Sequence, residues 1–260
     1  MGMERISVPV ATRAPSGQTN AYVLGRDRAA VIDPCARHER VDDALASRSL
    51  AHVLVTHHHP DHVGGVADYA AEHDATVWAR RGRESAFEAA TGVAPDRTFT
   101  GGTEIPVDDD QLRVVETPGH APEHVAFATG DGLVCGDLAA AAGSVAVGAP
   151  EGEMRAYCCS LRRVIARAPD RLFPGHGPVV DDAGETCRRL LAHRLDRERR
   201  VEAAVAEGSE TLPAITDAAY DKDVESVRDL AEATVAAHLE KLAVEGRVAW
   251  DGERARPPSA

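Results

Sequence analysis

The sequence predicts an α/β layered domain followed by a smaller, mainly helical unit. Three observations carry this. Short apolar runs alternate with glycine- and proline-marked turns up to about residue 180. Helical patterns lie between some of those runs, as a layered α/β domain requires. From about Gly184 the texture changes to long helical patterns.

Taken in order, RISVPV, AYVLG, AAVIDP, AHVLVT, ATVWA, LRVVET, HVAFAT and GLVCGD read as strands. Helical patterns fall at His38–Ala46, Val63–Glu72 and Glu153–Ala168. The layered part ends near PGHGPVV. Beyond it, TCRRLLAHRLDRERRVEAAVAEG is one long helical pattern and TLPAITDAAY a short one. SVRDLAEATVAAHLEKLAVEG then places Val227, Leu230, Val235, Leu239 and Leu242 near helical spacing. Ser226 three residues before Asp229 predicts a capping box, and Gly246 a C-terminal cap. RVAW reads as a short strand and ERARPPSA as a frayed tail. Three helices, a turn and a strand predict a winged helix-turn-helix unit.

Composition narrows the function classes. No run of apolar residues is long enough to span a bilayer, and MGMERISVPVATR has neither an apolar core nor a small-residue cleavage site. The expectation is a cytoplasmic protein without a membrane partner. Cys35, Cys135, Cys158, Cys159 and Cys187 are odd in number and show no CxxC spacing, which predicts free thiols rather than a disulfide framework or a cysteine zinc site. The net charge is −13, and Lys222 and Lys241 are the only lysines. Such a surface repels nucleic acid and anionic membranes at long range. It would suit a high-salt cytoplasm, where screening shortens that repulsion, and it resembles the composition of halophilic archaeal proteins. A GC-rich genome equally favours arginine over lysine.

The chemistry is concentrated in THHHPDHVGG, where four histidines and one aspartate occupy six consecutive positions. AHVLVT delivers them to the end of a strand. Alternation puts His57 and His59 on one side and sends His58 to the other. Pro60 stops the strand, Asp61 and His62 open a turn into a helix, and Val63-Gly64-Gly65 lets the backbone run close beneath them. So many imidazoles beside a carboxylate would repel one another if protonated, and a divalent cation removes that problem because neutral imidazole is a good zinc ligand. Three further residues sit at turns after strands: His120 in TPGH, Asp137 in GLVCGD and His176 in LFPGHGP.

This set, His57-x-His59-x-Asp61-His62 followed by His120, Asp137 and His176, resembles the metallo-β-lactamase superfamily signature in composition, order and spacing. The resemblance implies an αββα sandwich over residues 1–184 with two metal ions at one edge of its sheets. By position, His57, His59 and His120 would hold the first ion and Asp61, His62 and His176 the second, with Asp137 bridging both. Asp33 in VIDP is similar to the family's early aspartate, which hydrogen-bonds a metal-bound histidine. The implied chemistry is hydrolysis by a metal-bridging hydroxide, with Asp61 orienting it or accepting its proton. Zinc is the default for a histidine-rich site, and such sites also take up manganese or iron.

Within the superfamily, a carboxylate stands where this chain has His59 in the oxygen-reducing flavodiiron branch. In the best-known true β-lactamases, a cysteine stands where it has Asp137. The large ribonucleases insert a further domain, for which this chain has no room. Glyoxalase II-type thioesterases share all seven ligands but end in a different helical region. TPGHAPEHVAF, YCCSLRRV and the ending over residues 185–260 are similar to the lactamase-beta-like protein 2 family with its small winged-helix domain. A small ester or thioester is the expected substrate. Cleavage of single-stranded RNA is the alternative, since Arg188, Arg189, Arg194, Arg197, Arg199 and Arg200 cluster on one helix. A DNA-binding regulator with a relic metal domain is a third reading. The fold alone does not decide among them.

Overall fold

The computed structural model describes residues 2–258. The chain folds into two compact units. The first comprises residues 1–116, 123–143 and 169–183, and the second 117–122, 144–168 and 184–260. A single division after residue 184 leaves segments 117–122 and 144–168 on the other side, whereas they pack with the C-terminal residues.

In the first unit, β1 (Met3–Pro9), β2 (Gln18–Leu24), β3 (Ala29–Ile32), β4 (Leu50–Leu54), β5 (Thr76–Arg80) and β6 (Arg97–Phe99) form one sheet in chain order. Its first three strands are antiparallel neighbours, and β3 through β6 run parallel. The parallel part is connected through α1 (Glu39–Leu45), α2 (Pro60–Val63), α3 (Val66–His73) and α4 (Glu84–Thr91). Parallel pairing demands such crossovers. The second sheet, in the order β11-β10-β9-β8-β7, uses β7 (Glu104–Val107), β8 (Asp110–Glu116), β9 (Val125–Thr129), β10 (Gly132–Gly136) and β11 (Leu172–Pro174).

Two apolar layers result. One, with Val31, Val53, Val77, Leu45, Tyr69 and Phe87, lies between the first sheet and its helices. The other, with Ile32, Leu54, Trp78, Phe127, Val134 and Phe173, joins the two sheets. Alternation along the central strands supplies both faces: Val31 and Val53 point one way, Ile32 and Leu54 the other. The stacking of helices on one sheet and that sheet on a second matches the α/β sandwich expectation.

The second unit contains α5 (Met154–Arg167), α6 (Ala183–Ala206, from its second residue), α7 (Leu212–Ala219), α8 (Arg228–Val244) and the ribbon β12 (Ala249–Trp250) with β13 (Ala255–Arg256). Its core gathers Val201, Val205, Ile215, Val235, Leu239, Leu242 and Ala255. Helices followed by a two-stranded ribbon are the elements of the winged-helix expectation.

Several local expectations need correction. Ser226 forms no capping box: it lies in a 3₁₀ turn, Glu225–Val227, and α8 starts from Val227 without a side-chain cap. Asp223 instead accepts from the Glu225 amide at 2.9 Å. Gly246 does close α8, at φ +71°, while the Arg247 amide reaches back to Leu242 O. The stretch ERARPPSA is not all tail, since β13 runs through it with Ala255 fully buried. Its last two residues, 259–260, lie outside the described residues. The strands β6 and β7 and the helix α4 are absent from the sequence reading. β6 spans only three residues, β7 carries Pro106 at a sheet edge, and α4 buries Phe87 alone. Among the described residues no helix is long and apolar enough to cross a membrane. Cys159 is exposed, the other four cysteines are buried, and all five are free thiols.

Candidate metal centre

The site lies where several strands of the first unit end. β4, held between β3 and β5, runs out at Leu54, and residues 55–59 carry the histidines to α2. Pro60 occupies the first turn of α2 with His59 at its N-cap, so the extended run must stop there. His57 is buried, and its Nε2 lies 3.0 Å from His59 Nδ1. Thr56 Oγ1 is 3.0 Å from His57 Nδ1 on the other side of the ring. His58 turns away, as alternation predicts, and its Nδ1 meets Glu123 Oε1 at 3.2 Å. The Gly64-Gly65 step packs against the turn after β3. Its close approach is to the 34–36 backbone, where a Cβ on Gly64 would sit 2.5 Å from Cys35 O.

That packing brings up the turn after β3. Asp33 adopts φ +53°, a left-handed conformation that aspartate tolerates better than most residues. Its carboxylate is fully buried. Oδ1 accepts from the Thr56 amide at 2.6 Å, while Oδ2 accepts from Thr56 Oγ1 at 2.8 Å and lies 3.0 Å from His62 Nδ1. A carboxylate there makes His62 Nδ1 the protonated nitrogen and leaves Nε2 facing the site.

The second sheet contributes the remaining groups of this unit. Asp137 follows β10, and His176 follows β11. His62 Nε2 is 3.6 Å from Asp137 Oδ1, and His176 Nε2 is 3.4 Å from Asp137 Oδ2 and 3.6 Å from Asp61 Oδ2. His57, His62 and Asp137 offer ligand atoms within 4.8 Å of one another, as do Asp61, His62 and His176. Gly175 lets the loop rise against this group, since a Cβ there would lie 2.6 Å from Asp137 Oδ1 and 2.7 Å from His62 Cε1. His120 belongs to the second unit, where its Nδ1 lies 2.7 Å from Ala146 O.

The electrostatics ask for a cation. Burial pushes the His62 imidazole toward its neutral form, yet Asp33, Asp137 and Asp61 outweigh that and raise its pKa to about 9. His176 is also raised: burial opposes protonation, and the Asp137 carboxylate more than offsets it. Three carboxylates thus draw positive charge into a buried pocket whose nitrogens would otherwise be neutral. His62 Nε2 is buried and has no hydrogen-bond partner among the described residues. Imidazole nitrogens interleaved with carboxylate oxygens, with one orphaned nitrogen aimed among them, fit a divalent metal.

Some supporting residues escaped the sequence reading. His124, buried, accepts from the Asp137 amide through Nε2 at 3.1 Å and stands 5.1 Å from the His57 ring. Asn20 donates to Pro174 O and Gly177 O, both at 2.9 Å, and so holds the turn that carries His176. The signal for His124 was its place in TPGHAPEHVAF, four residues after His120. Asn20 gave no signal, because its partners lie more than 150 residues away in the chain.

Part of the arginine cluster on α6 is structural. Arg194 is 3 % exposed and lies over the Tyr157 ring, and Arg197 is 8 % exposed and lies over Tyr220 at 3.5 Å. Arg199 and Arg200 pair with Asp196, and Arg200 also with Asp221. Arg194 and Arg197 are thus committed inside the unit, whereas Arg188, Arg189 and Arg199 are exposed.

The chain matches the family model for the metallo-beta-lactamase superfamily over residues 14–176, and that for the beta-lactamase associated winged helix domain over residues 211–256. It is 28% identical over 249 residues to a beta-lactamase-like protein 2 homolog of Drosophila melanogaster, covering 88% of this chain and 84% of that protein. It is 27% identical over 259 residues to an atrochrysone carboxyl ACP thioesterase of Aspergillus aculeatus, covering 89% and 78%. The crystal structure of a beta-lactamase domain protein from Burkholderia ambifaria superposes with a TM-score of 0.82 at 21% identity, covering 98% of this chain and 91% of that one.

Proposed function

The chain belongs to the metallo-β-lactamase superfamily and is a hydrolase of that fold, and from that membership we propose that it cleaves a small thioester or ester with two divalent cations, zinc by default. The observation that carries the reading is His62 Nε2, buried without a hydrogen-bond partner among the described residues and facing Asp137, with Asp61 and His176 alongside. His57, His59 and His120 would hold one ion, Asp61, His62 and His176 the other, and Asp137 both. The place of His120 in this set comes from the family motif.

Bound there, two cations would lower the pKa of a shared water toward neutrality and polarise the scissile carbonyl. The chain's own groups do the rest. Asp61 stands among the candidate ligands with its carboxylate half-buried, where it can orient an attacking water and take its proton. Asp33 fixes the tautomer and ring plane of His62, and Thr56 fixes Asp33. His124 holds the backbone at Asp137. None of these steps needs a serine or cysteine nucleophile, and the buried thiols of Cys35, Cys158 and Cys187 are all pushed upward by burial, away from the reactive thiolate.

The thioesterase relative favours a thioester over other small substrates. The RNA alternative loses part of its support, because Arg194 and Arg197, two of the six arginines that suggested it, are buried over tyrosines. Purified protein assayed on acyl thioesters and on single-stranded RNA, with zinc and with manganese, tests the reading. Thioester turnover abolished by the double substitution His57→Ala and His59→Ala is the expected result. RNA cleavage abolished by the same substitution, with thioesters left intact by the unsubstituted protein, would reverse the choice of substrate.

A further inference from the structure

We propose that Thr12 is a positioning residue for Asp61 and that it ties the loop between β1 and β2 to the candidate metal centre. The inference rests on the role given to Asp61 above. Thr12 lies in the eight-residue connection 10–17, at a sequence distance of 49 from its partner. Its hydroxyl donates to Asp61 Oδ2 at 2.6 Å. An O–H···O⁻ bond of that length falls in the strong, charge-assisted range.

The direction of the bond is fixed by a second contact. Thr12 Oγ1 also accepts from the Ala14 amide at 3.1 Å, which occupies a lone pair and leaves the single hydroxyl proton for Asp61. The loop is in turn held by its own backbone: the Gly17 amide donates to Ala14 O at 3.0 Å, and the Val10 amide to Gly17 O at 3.3 Å. The chain Gly17–Ala14–Thr12–Asp61 is therefore continuous.

Asp61 needs such a support. It sits in the first turn of a four-residue helix, directly after Pro60, and is half-buried. Its Oδ2 also faces His176 Nε2, at 3.6 Å. Thr12 therefore grips the same oxygen that faces His176, and its bond sets where that oxygen stands in the candidate ligand group. Losing the hydroxyl frees the side chain to rotate, which costs affinity at the ion it ligates and misplaces the group that orients the water.

The test compares Thr12→Val, which keeps the branched shape, with Thr12→Ser, which keeps the hydroxyl. Three quantities are read: zinc affinity by competition with a chromophoric chelator, amide hydrogen exchange of residues 10–17 in the metal-free protein, and kcat with KM on the best thioester. Thr12→Val is expected to weaken the second zinc by roughly 10–100-fold, to speed exchange across 10–17, and to lower kcat with KM unchanged. Thr12→Ser is expected to keep all three near the unsubstituted protein. Unchanged zinc affinity and exchange in Thr12→Val would overturn the proposal, as would equal impairment in Thr12→Ser. If the unsubstituted protein binds no zinc, the metal reading fails by itself, and the exchange comparison still decides whether Thr12 holds the loop to Asp61.

Discussion

Asp33 Oδ2 lies 3.0 Å from His62 Nδ1 in a fully buried contact, and the opposite ring nitrogen of His62 is the one orphaned inside the site. A single carboxylate thereby decides which nitrogen of His62 is available. Asp33→Asn keeps the shape and tolerates the left-handed backbone, but removes the charge that orients the ring. The expected loss of zinc affinity is roughly 10–100-fold, read by chelator competition, with the far-ultraviolet circular dichroism unchanged.

His58 supplies the internal control for the histidine cluster. It points to Glu123 rather than to its neighbours, and Glu123 is only 5% exposed. His58→Ala should therefore bind metal as the unsubstituted protein does, while destabilising the fold by about 1 kcal/mol through the lost side-chain contact, since the amide of residue 58 still donates to Glu123 at 3.3 Å. His57→Ala should lose metal. Chelator competition and thermal melting on the two variants separate these outcomes, and equal metal loss in both would refute the sorting.

Alternation carried past the end of β4 was enough to tell His58 from His57 and His59, because the period of two of an extended backbone is a local property. The turn positions of Asp137 and His176 were readable for the same reason. What the sequence concealed was long-range. Asn20 and Thr12 act through partners far along the chain, and no local pattern marks them. Gly64 and Gly65 looked like room for histidines and are instead room for the 34–36 backbone. Of the six arginines on α6, Arg194 and Arg197 are buried, which the sequence concealed because side-chain direction on a helix is invisible until its neighbours are known. Arg197 lies over Tyr220, whereas Arg188, Arg189 and Arg199 are exposed as a surface reading expects.

The second unit carries a buried charge network with its own pH signature. Glu198 is 4% exposed, 2.7 Å from Lys241 Nζ and 2.9 Å from an Arg247 nitrogen. Burial works against its charged form, but His238 and Lys241 beside it prevail and bring its pKa down to about 2 from 4.5. A depressed folded-state pKa contributes stability that is present above about pH 4.5 and lost as pH falls toward 2. Glu198→Gln is thus expected to be less stable at pH 7 by about 3 kcal/mol. That gap should narrow between pH 4.5 and 2. Urea unfolding across that range checks it, and a gap independent of pH would count against the network.

The most direct measurement is the number of metal ions per chain, taken by elemental analysis after chelation, reconstitution with zinc and removal of excess. Two ions per chain are expected for the unsubstituted protein, and one for a variant in which His176→Ala is combined with Asp61→Ala. No bound zinc, or two ions retained when those two side chains are gone, would contradict the account.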